Sequence, residues 1–413
     1  MSSTLVKASL PWLIAAAVLL ALPHLFASNS AITIMTQMAI TIVFALSYNM
    51  LLGQAGMLSF GHAVYMGMGG FFAVHSINWL IGAGAAVPLP VVPVLGGLFS
   101  LGVAMIVGSF SIRRSGVAFA MISLGIVELV ASYAIVTYGF FNGGGVGTDR
   151  TLLAPFLGIE FLRQSEVYHV VIFWMILSAL LMYLYTLTPV GRMANAVRDN
   201  PERAEFVGYS AYWVRFHAFC GAGFFAGVAG ALLALTYEIT TVESMNLQAS
   251  GTILMITFLG GVGVFWGPIV GAVVFTMLQT ILSLHTELWQ LYTGALFLAA
   301  VMFFPSGLAG VMAMHVPVIR SGKAAGLIVP YVRTMLPAGV CILGAVVMCE
   351  ILVHGRTAAV GEPEMTLFGV TFDSSNPLSW SAALAVAVVG FVAARRQAKA
   401  LVSAWHQATV HDG

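Results

Sequence analysis

The stretch Gly191–Arg215, GRMANAVRDNPERAEFVGYSAYWVR, breaks the pattern of everything around it. Seven of its residues are charged (Arg192, Arg198, Asp199, Glu202, Arg203, Glu205 and Arg215), in a 413-residue chain that is only 8% charged. Long apolar runs flank it, VIFWMILSALLMYLY before and FCGAGFFAGVAGALLAL after. Soluble domains average about 25% charged residues, whereas this chain is 60% hydrophobic with a mean hydropathy of +0.98. Such side chains cannot all face water. Helices satisfy their own backbone groups in lipid, so the composition predicts an all-α polytopic membrane protein whose polar block lies outside the bilayer.

A helix crossing the hydrocarbon core needs about 20 apolar residues. Twelve such runs are delimited by polar or Gly/Pro breaks: 10–27, 31–52, 59–81, 90–111, 115–138, 167–187, 216–236, 250–267, 268–285, 287–305, 334–353 and 378–394. The pair at 250–285 is ambiguous, because GGVGVFWGPIVGA at its centre reads either as a tight hairpin or as a break within one longer span. With the N-terminus inside, alternation puts Gly191–Arg215 in the cytoplasm. Of the sixteen Lys and Arg, only Arg150, Arg163 and Arg356 then fall outside, which is the basic bias that orients membrane proteins. Both termini are expected on the cytoplasmic side.

The outer connections are acidic instead: Asp149, Glu160, Glu166, Glu238, Glu243, Glu287, Glu362, Glu364 and Asp373. They are either solvated loops or a docking surface for a soluble partner. The longest, Asn142–Glu166, is placed to cap an outer mouth. The first run, following Lys7, reads as a retained helix, because Leu25 and Phe26 spoil the small-residue pattern of a cleavage site.

Several function classes are excluded on the same grounds. A net charge of +1 offers no basic surface for nucleic acid. Cys220, Cys341 and Cys349 show no CxxC spacing and the ten histidines form no HExxH, so neither disulfide framework nor metal site is expected. The pair Gly322-Lys323 has Pro317 and Ala324 where a phosphate-binding loop requires glycine and a hydroxyl. With no G-x-S-x-G elbow either, the chain is not expected to be an enzyme.

Polar residues inside the apolar runs are the candidates for function. The segment Leu46–Val74, LSYNMLLGQAGMLSFGHAVYMGMGGFFAV, mixes glycines with Asn49, Gln54, Ser59 and His62. It is either a site of close helix packing with internally satisfied polar groups or the lining of a solute path. Glu128 lies midway along the fifth run, where a charge costs about 2.5–3.5 kcal/mol. It must face protein or water, as a transport-path or proton-relay residue or as a protonated carboxyl bonded to a neighbouring helix. Gly263, Gly267 and Gly271, at four-residue spacing, form a ridge for helix contact.

Within the opening block, Pro201 suits a first helical turn, Asn200 or Asp199 can cap it, and Gly208 can end it. Ala204, Phe206 and Val207 give this short helix an apolar face, as docking onto another protein would require. Three blocks, LSYNMLLGQAGMLSFGHAVYMGMGGFFA, GRMANAVRDNPERAEFVGY, and FLGGVGVFWGPIVGA with FFPSGLAGV, resemble the LivM-type permease subunits of branched-chain amino acid ABC importers. In that family a cytoplasmic loop with the pattern Glu-Ala-Ala, three residues, Gly docks on the ATPase. Glu202-Arg203-Ala204, Glu205-Phe206-Val207 and Gly208 are similar to it, with Arg203 in place of the central alanine.

The resemblance implies a coupling role for Gly191, Arg192, Arg198, Asp199, Glu202, Ala204 and Gly208. It implies two ABC ATPase subunits carrying ATP and Mg, a second related permease, a periplasmic binding protein, and no cofactor in this chain itself. The solute would be a branched-chain or other hydrophobic amino acid, with urea, amides and aromatic acids as alternatives. The competing class is an ion-coupled carrier using Glu128. An N-terminal helix at 1–30, a permease core at 31–316 with its loop at 188–215, and an appended hairpin at 317–413 complete the expected organisation.

Overall fold

The computed structural model describes residues 2–84, 88–153, 155–156, 158–304, 306–357, 364–367 and 370–409, with side chains from Trp12. Glu362 and the side chain of Lys7 lie outside the described residues. The helices are α1 (Ser2–Leu25), α2 (Asn29–Asn49, continued by a π turn Met50–Gln54), α3 (His62–Gly82), α4 (Val92–Ser111), α5 (Val117–Val136), α6 (Gln164–Leu187), α7 (Pro189–Asp199) and α8 (Pro201–Phe206). They continue as α9 (Ala211–Tyr237), α10 (Leu247–Gly260), α11 (Gly267–His285), α12 (Trp289–Phe303), α13 (Gly307–Arg320), α14 (Ala325–Thr357) and α15 (Pro377–Thr409). Two short antiparallel ribbons accompany them, β1 (Gly145–Gly147) with β2 (Ile239–Thr241) and β3 (Glu364–Leu367) with β4 (Val370–Asp373).

The all-α polytopic membrane architecture holds, but the span count is corrected. Every one of the twelve apolar runs is helical, yet only eight helices among the described residues are long and apolar enough to cross a membrane, or nine counting α12 and α13 together. The reason is length and composition. Helices α10 and α12 have 14 and 15 residues, about 21–23 Å at 1.5 Å per residue. That falls short of a core about 30 Å thick. Helix α3 has the length, but His75, Ser76, Asn78 and its glycines dilute its apolarity.

The chain divides into two compact units, Met1–Gly310 and Val311–Gly413. In the first, α9 is the central post, 83% buried over its apolar window, with α2 next at 61%. Small residues bring its neighbours close. A Cβ on Gly69 of α3 would meet Gly227 Cα of α9 at 2.5 Å, and one on Gly96 of α4 would meet Gly69 O at 2.7 Å. Real side-chain carbons do not sit that near backbone, so any larger residue there would part three helices. Ser100 of α4 donates to Tyr65 O at 2.7 Å and ties the same junction.

The ambiguity at 250–285 resolves as a hairpin. Helix α10 stops at Gly260 and α11 starts at Gly267 with Pro268 in its first turn, where a missing N–H costs nothing. Gly260 packs on Gly267, and Gly271 packs on the Ile256 carbonyl, a register that runs the two helices antiparallel. Two of the three ridge glycines make this contact. Gly263 instead sits in the turn at φ +92°.

Helix α9 also fixes two opposite ends of the first unit. At its C-terminal end, Arg150 is buried and donates to Leu235 O (3.1 Å), Thr236 O (3.0 Å), Phe161 O (3.3 Å) and Gln164 Oε1 (3.3 Å), and pairs with Glu238 at 3.3 Å. This cation caps the last carbonyls of α9 and straps the long Asn142–Glu166 connection across it, next to the β1–β2 ribbon. Beside it, the Thr151 hydroxyl and N–H hold the Asp149 carboxyl below its usual range.

In the second unit α14 and α15, 33 residues each, form the helical hairpin. Gly344 lies against Ala387 and Gly390 against Cys341, an antiparallel register. Trp380 and Phe372 pack over Ile351 where the β3–β4 ribbon joins the hairpin.

Candidate functional site

The charged block folds as two helices, of which the sequence reading had only the second. Helix α7 is capped by Thr188, whose hydroxyl accepts from Gly191 N at 3.1 Å, and buries Gly191, Ala194 and Val197 at helical spacing. Gly191 is required there, since a Cβ would collide with the Tyr185 backbone. Arg192 is on the exposed side. Helix α8 begins as the sequence indicates: the Asn200 side chain accepts from Arg203 N at 3.1 Å, Pro201 fills the first turn, and Gly208 follows its end at φ +91°. Asn200, and not Asp199, is the cap.

The expected apolar face of α8 is corrected. Ala204 is 2% exposed and points into the protein, while Phe206 is 90% and Val207 72% exposed. A six-residue helix ending in a left-handed glycine cannot keep Ala204 and its successors on one side. The result is an anchor and a knob. Ala204 seats the loop, and Phe206, Val207, Gly208 and Tyr209 project from it beside the exposed Glu202.

Arg198 fastens this loop to the helices behind it. Its guanidinium donates to Gly53 O, in the π turn ending α2, and through Nε to Asp199 at 3.0 Å. One turn back along α2, Asn49 donates to Val264 O at 3.4 Å and accepts from Gly263 N at 3.5 Å. Arg198 and Asn49 thus tie three elements together at the end of α9 opposite Arg150: the charged loop, the end of α2, and the α10–α11 turn. No sequence motif marks this junction, because its acceptors are backbone carbonyls.

Asn49, Gln54, Ser59 and His62 are all buried, each with its own neighbours, whereas Glu128 is exposed. Ser59 O accepts from the Tyr48 hydroxyl at 3.0 Å, and Ser59 Oγ accepts from Gly61 N at 3.3 Å. His62 opens α3, bonds Ser47 Oγ through Nε2 at 2.9 Å, and stacks on Phe44 with ring centroids 5.5 Å apart. The space beside Ser59 is only about 10 Å³, so these residues are packed in this state. Two buried polar atoms nevertheless lack a partner among the described residues, His62 Nδ1 and Gln54 Oε1.

Glu128 lies on the exposed side of α5, the span with only 28% of its apolar window buried, between exposed Gly125 and Leu129, so nothing in this chain covers it among the described residues. Alternation along α5 turns Ser123 and Val127 inward, and Glu128 shares the outer face with Met121.

A family profile described as "Branched-chain amino acid transport system / permease component" matches residues 30–304, the first unit without α1. The chain is 25% identical over 327 residues to the high-affinity branched-chain amino acid transport system permease protein LivM of Salmonella typhimurium, covering 72% of this chain and 74% of the relative. It is 24% identical over 309 residues to the Escherichia coli protein of the same name, covering 68% and 70%. Similarity also extends to the L-arabinose ABC transporter permease protein AraH of Azospirillum brasilense, 23% over 292 residues, covering 66% and 77%. No solved structure matches. These relatives are transport permeases and not enzymes, and the chain belongs to the family of permease components of branched-chain amino acid transport systems.

Proposed function

We propose that this permease works in an ABC importer of the bacterial inner membrane. A periplasmic binding protein delivers a branched-chain or other hydrophobic amino acid to the Arg150 end. Two separate ATPase subunits, which carry the ATP and Mg, act on the α7–α8 loop at the cytoplasmic end. The observation that carries this reading is the loop itself: an apolar knob, Phe206 to Tyr209, on a base held by Ala204 and Arg198. A knob of that kind fits a cleft in a soluble partner. Displacing it pulls on Gly53 through Arg198 and on Val264 through Asn49, so α2 and the α10–α11 hairpin move with it. The exposed Arg192, Asp199 and Glu202 then charge the docked surface, while buried Gly191 lets α7 seat against Tyr185.

A second permease completes the path. An exposed carboxylate on a membrane-spanning helix is costly in lipid, so the Glu128 face of α5 is the natural surface for that subunit. The same exposure weighs against an ion-coupled carrier, since Glu128 lies apart from the polar residues around His62. The AraH relative gives a sugar solute a specific claim as the second reading.

Gly208→Trp, in the assembled transporter in proteoliposomes, is expected to insert normally but cut ATP-driven uptake about tenfold while ATP hydrolysis persists. Gly208→Ala shares the backbone strain but not the bulk and should retain most uptake. Wild-type uptake by the Trp variant would overturn the docking role.

A further inference from the structure

We infer that the cleft between α2, α10 and α11, roofed by the turn Val242–Met245, is a transit site for a zwitterionic amino acid with an apolar side chain. The inference rests on the importer reading above and assigns the solute a place in this chain. The cleft has a volume of about 470 Å³, within the roughly 300–1,000 Å³ of small-molecule sites. Its floor is apolar and buried: Phe44 from α2, Ile253 and Ile256 from α10, and Phe275 from α11. Its rim is polar: Gln37, Glu243, Ser244 and Gln279. Thr41, Thr252 and Thr276 also line it, and an apolar floor within a polar lining that holds a carboxylate matches a molecule with two charged groups at one end and a hydrocarbon branch at the other.

The rim chemistry divides between the two charges. Glu243 makes no hydrogen bond or ion pair among the described residues, and its carboxylate is available to an ammonium group. The Gln37 carbonyl oxygen accepts from the Tyr237 hydroxyl at 2.9 Å, which leaves the Gln37 amide N–H groups to face a carboxylate. Among the described residues no Lys, Arg or His lines the cleft. The carboxylate of the solute is therefore met by neutral donors only, which keeps binding weak enough for release onward.

The floor also indicates where onward is. Phe44 separates the cleft from His62, on which it stacks, and His62 Nδ1 is a buried nitrogen without a partner among the described residues. Beyond His62, α2 continues through Asn49 to Gly53 and Arg198. A pull on the loop reaches the helix that carries Phe44, so the ring acts as the partition between the outer cleft and the polar interior.

The test uses the complete transporter in proteoliposomes, with Cys220, Cys341 and Cys349 replaced and Ser244→Cys as the only thiol in this chain. L-leucine is expected to slow thiol labelling at this position, whereas 4-methylpentanoate, which lacks the ammonium, and L-arabinose are not. Glu243→Gln should weaken leucine protection about fivefold. Thr276→Trp, which fills the cleft, should lower leucine uptake about tenfold with ATPase activity retained. Equal protection by 4-methylpentanoate would overturn the role of Glu243. Leucine uptake without protection, or undiminished in Thr276→Trp, would overturn the site while leaving the importer reading intact. Protection without ATP-driven uptake would support the site and sink that reading instead.

Discussion

Arg150 shows how one side chain organises a whole end of this protein. It is buried, and its guanidinium is spent on four acceptors and one carboxylate. Two of those acceptors are the terminal carbonyls of α9, groups that a helix end otherwise leaves unsatisfied. Arg150→Ala is expected to destabilise the fold by about 2–4 kcal/mol, because it strands buried acceptors as well as removing a charge-assisted contact. Limited proteolysis should then open the Asn142–Glu166 connection before any other part of the first unit. An unchanged digestion pattern would show that the connection is held by other means. Asn49 and Arg198 are the counterparts at the other end. Sequence could single them out as polar residues in or beside apolar runs, but their partners are backbone atoms of segments distant in the chain.

At the scale of elements, the α10–α11 hairpin and the α7–α8 loop carry the functional argument. The hairpin packs backbone to backbone, with Gly271 against the Ile256 carbonyl and Gly260 against Gly267. A valine at Gly271 must push α10 away, and overpacking of that kind costs about 1–3 kcal/mol. Since α10 forms one wall of the cleft and its turn touches Asn49, Gly271→Val should impair uptake more than it impairs recovery of the folded chain. Equal losses of both would make the hairpin merely structural. The loop was partly legible: Asn200, Pro201 and Gly208 announce α8 by local capping chemistry. Helix α7 was not read, because its buried stripe of Gly191, Ala194 and Val197 is small and only mildly apolar. Ala204 was assigned to the same face as Phe206 and Val207 but turns inward, since which side of a six-residue helix is covered depends on what lies next to it.

On the scale of the whole molecule, the family profile matches residues 30–304, within the first unit, and the α14–α15 hairpin lies outside the matched region. The exposed face of α5 is the feature that a single chain leaves unfinished. Glu128→Leu should insert at least as well as the wild type, because a charge is removed from the span. It should nonetheless lower recovery of the second permease in detergent pull-downs, by leaving that subunit's donor unmet at about 1–3 kcal/mol. Glu128→Gln keeps a hydrogen-bonding group and should pair normally. Pairing indifferent to Glu128→Leu would mean that α5 faces elsewhere. The amino-acid sequence alone determined the membrane class, the helical character of all twelve apolar runs, and the polar block between two of them. Those follow from hydrocarbon thickness, backbone satisfaction and local capping, all of which act over a few turns of chain. Only the tertiary structure decided that Glu128 faces outward, that Ala204 turns inward while Phe206 projects, and that α2, α10 and α11 enclose a cleft. Each of these depends on which distant segment covers a given face, and close packing of helices through glycine sets that without leaving a local signature.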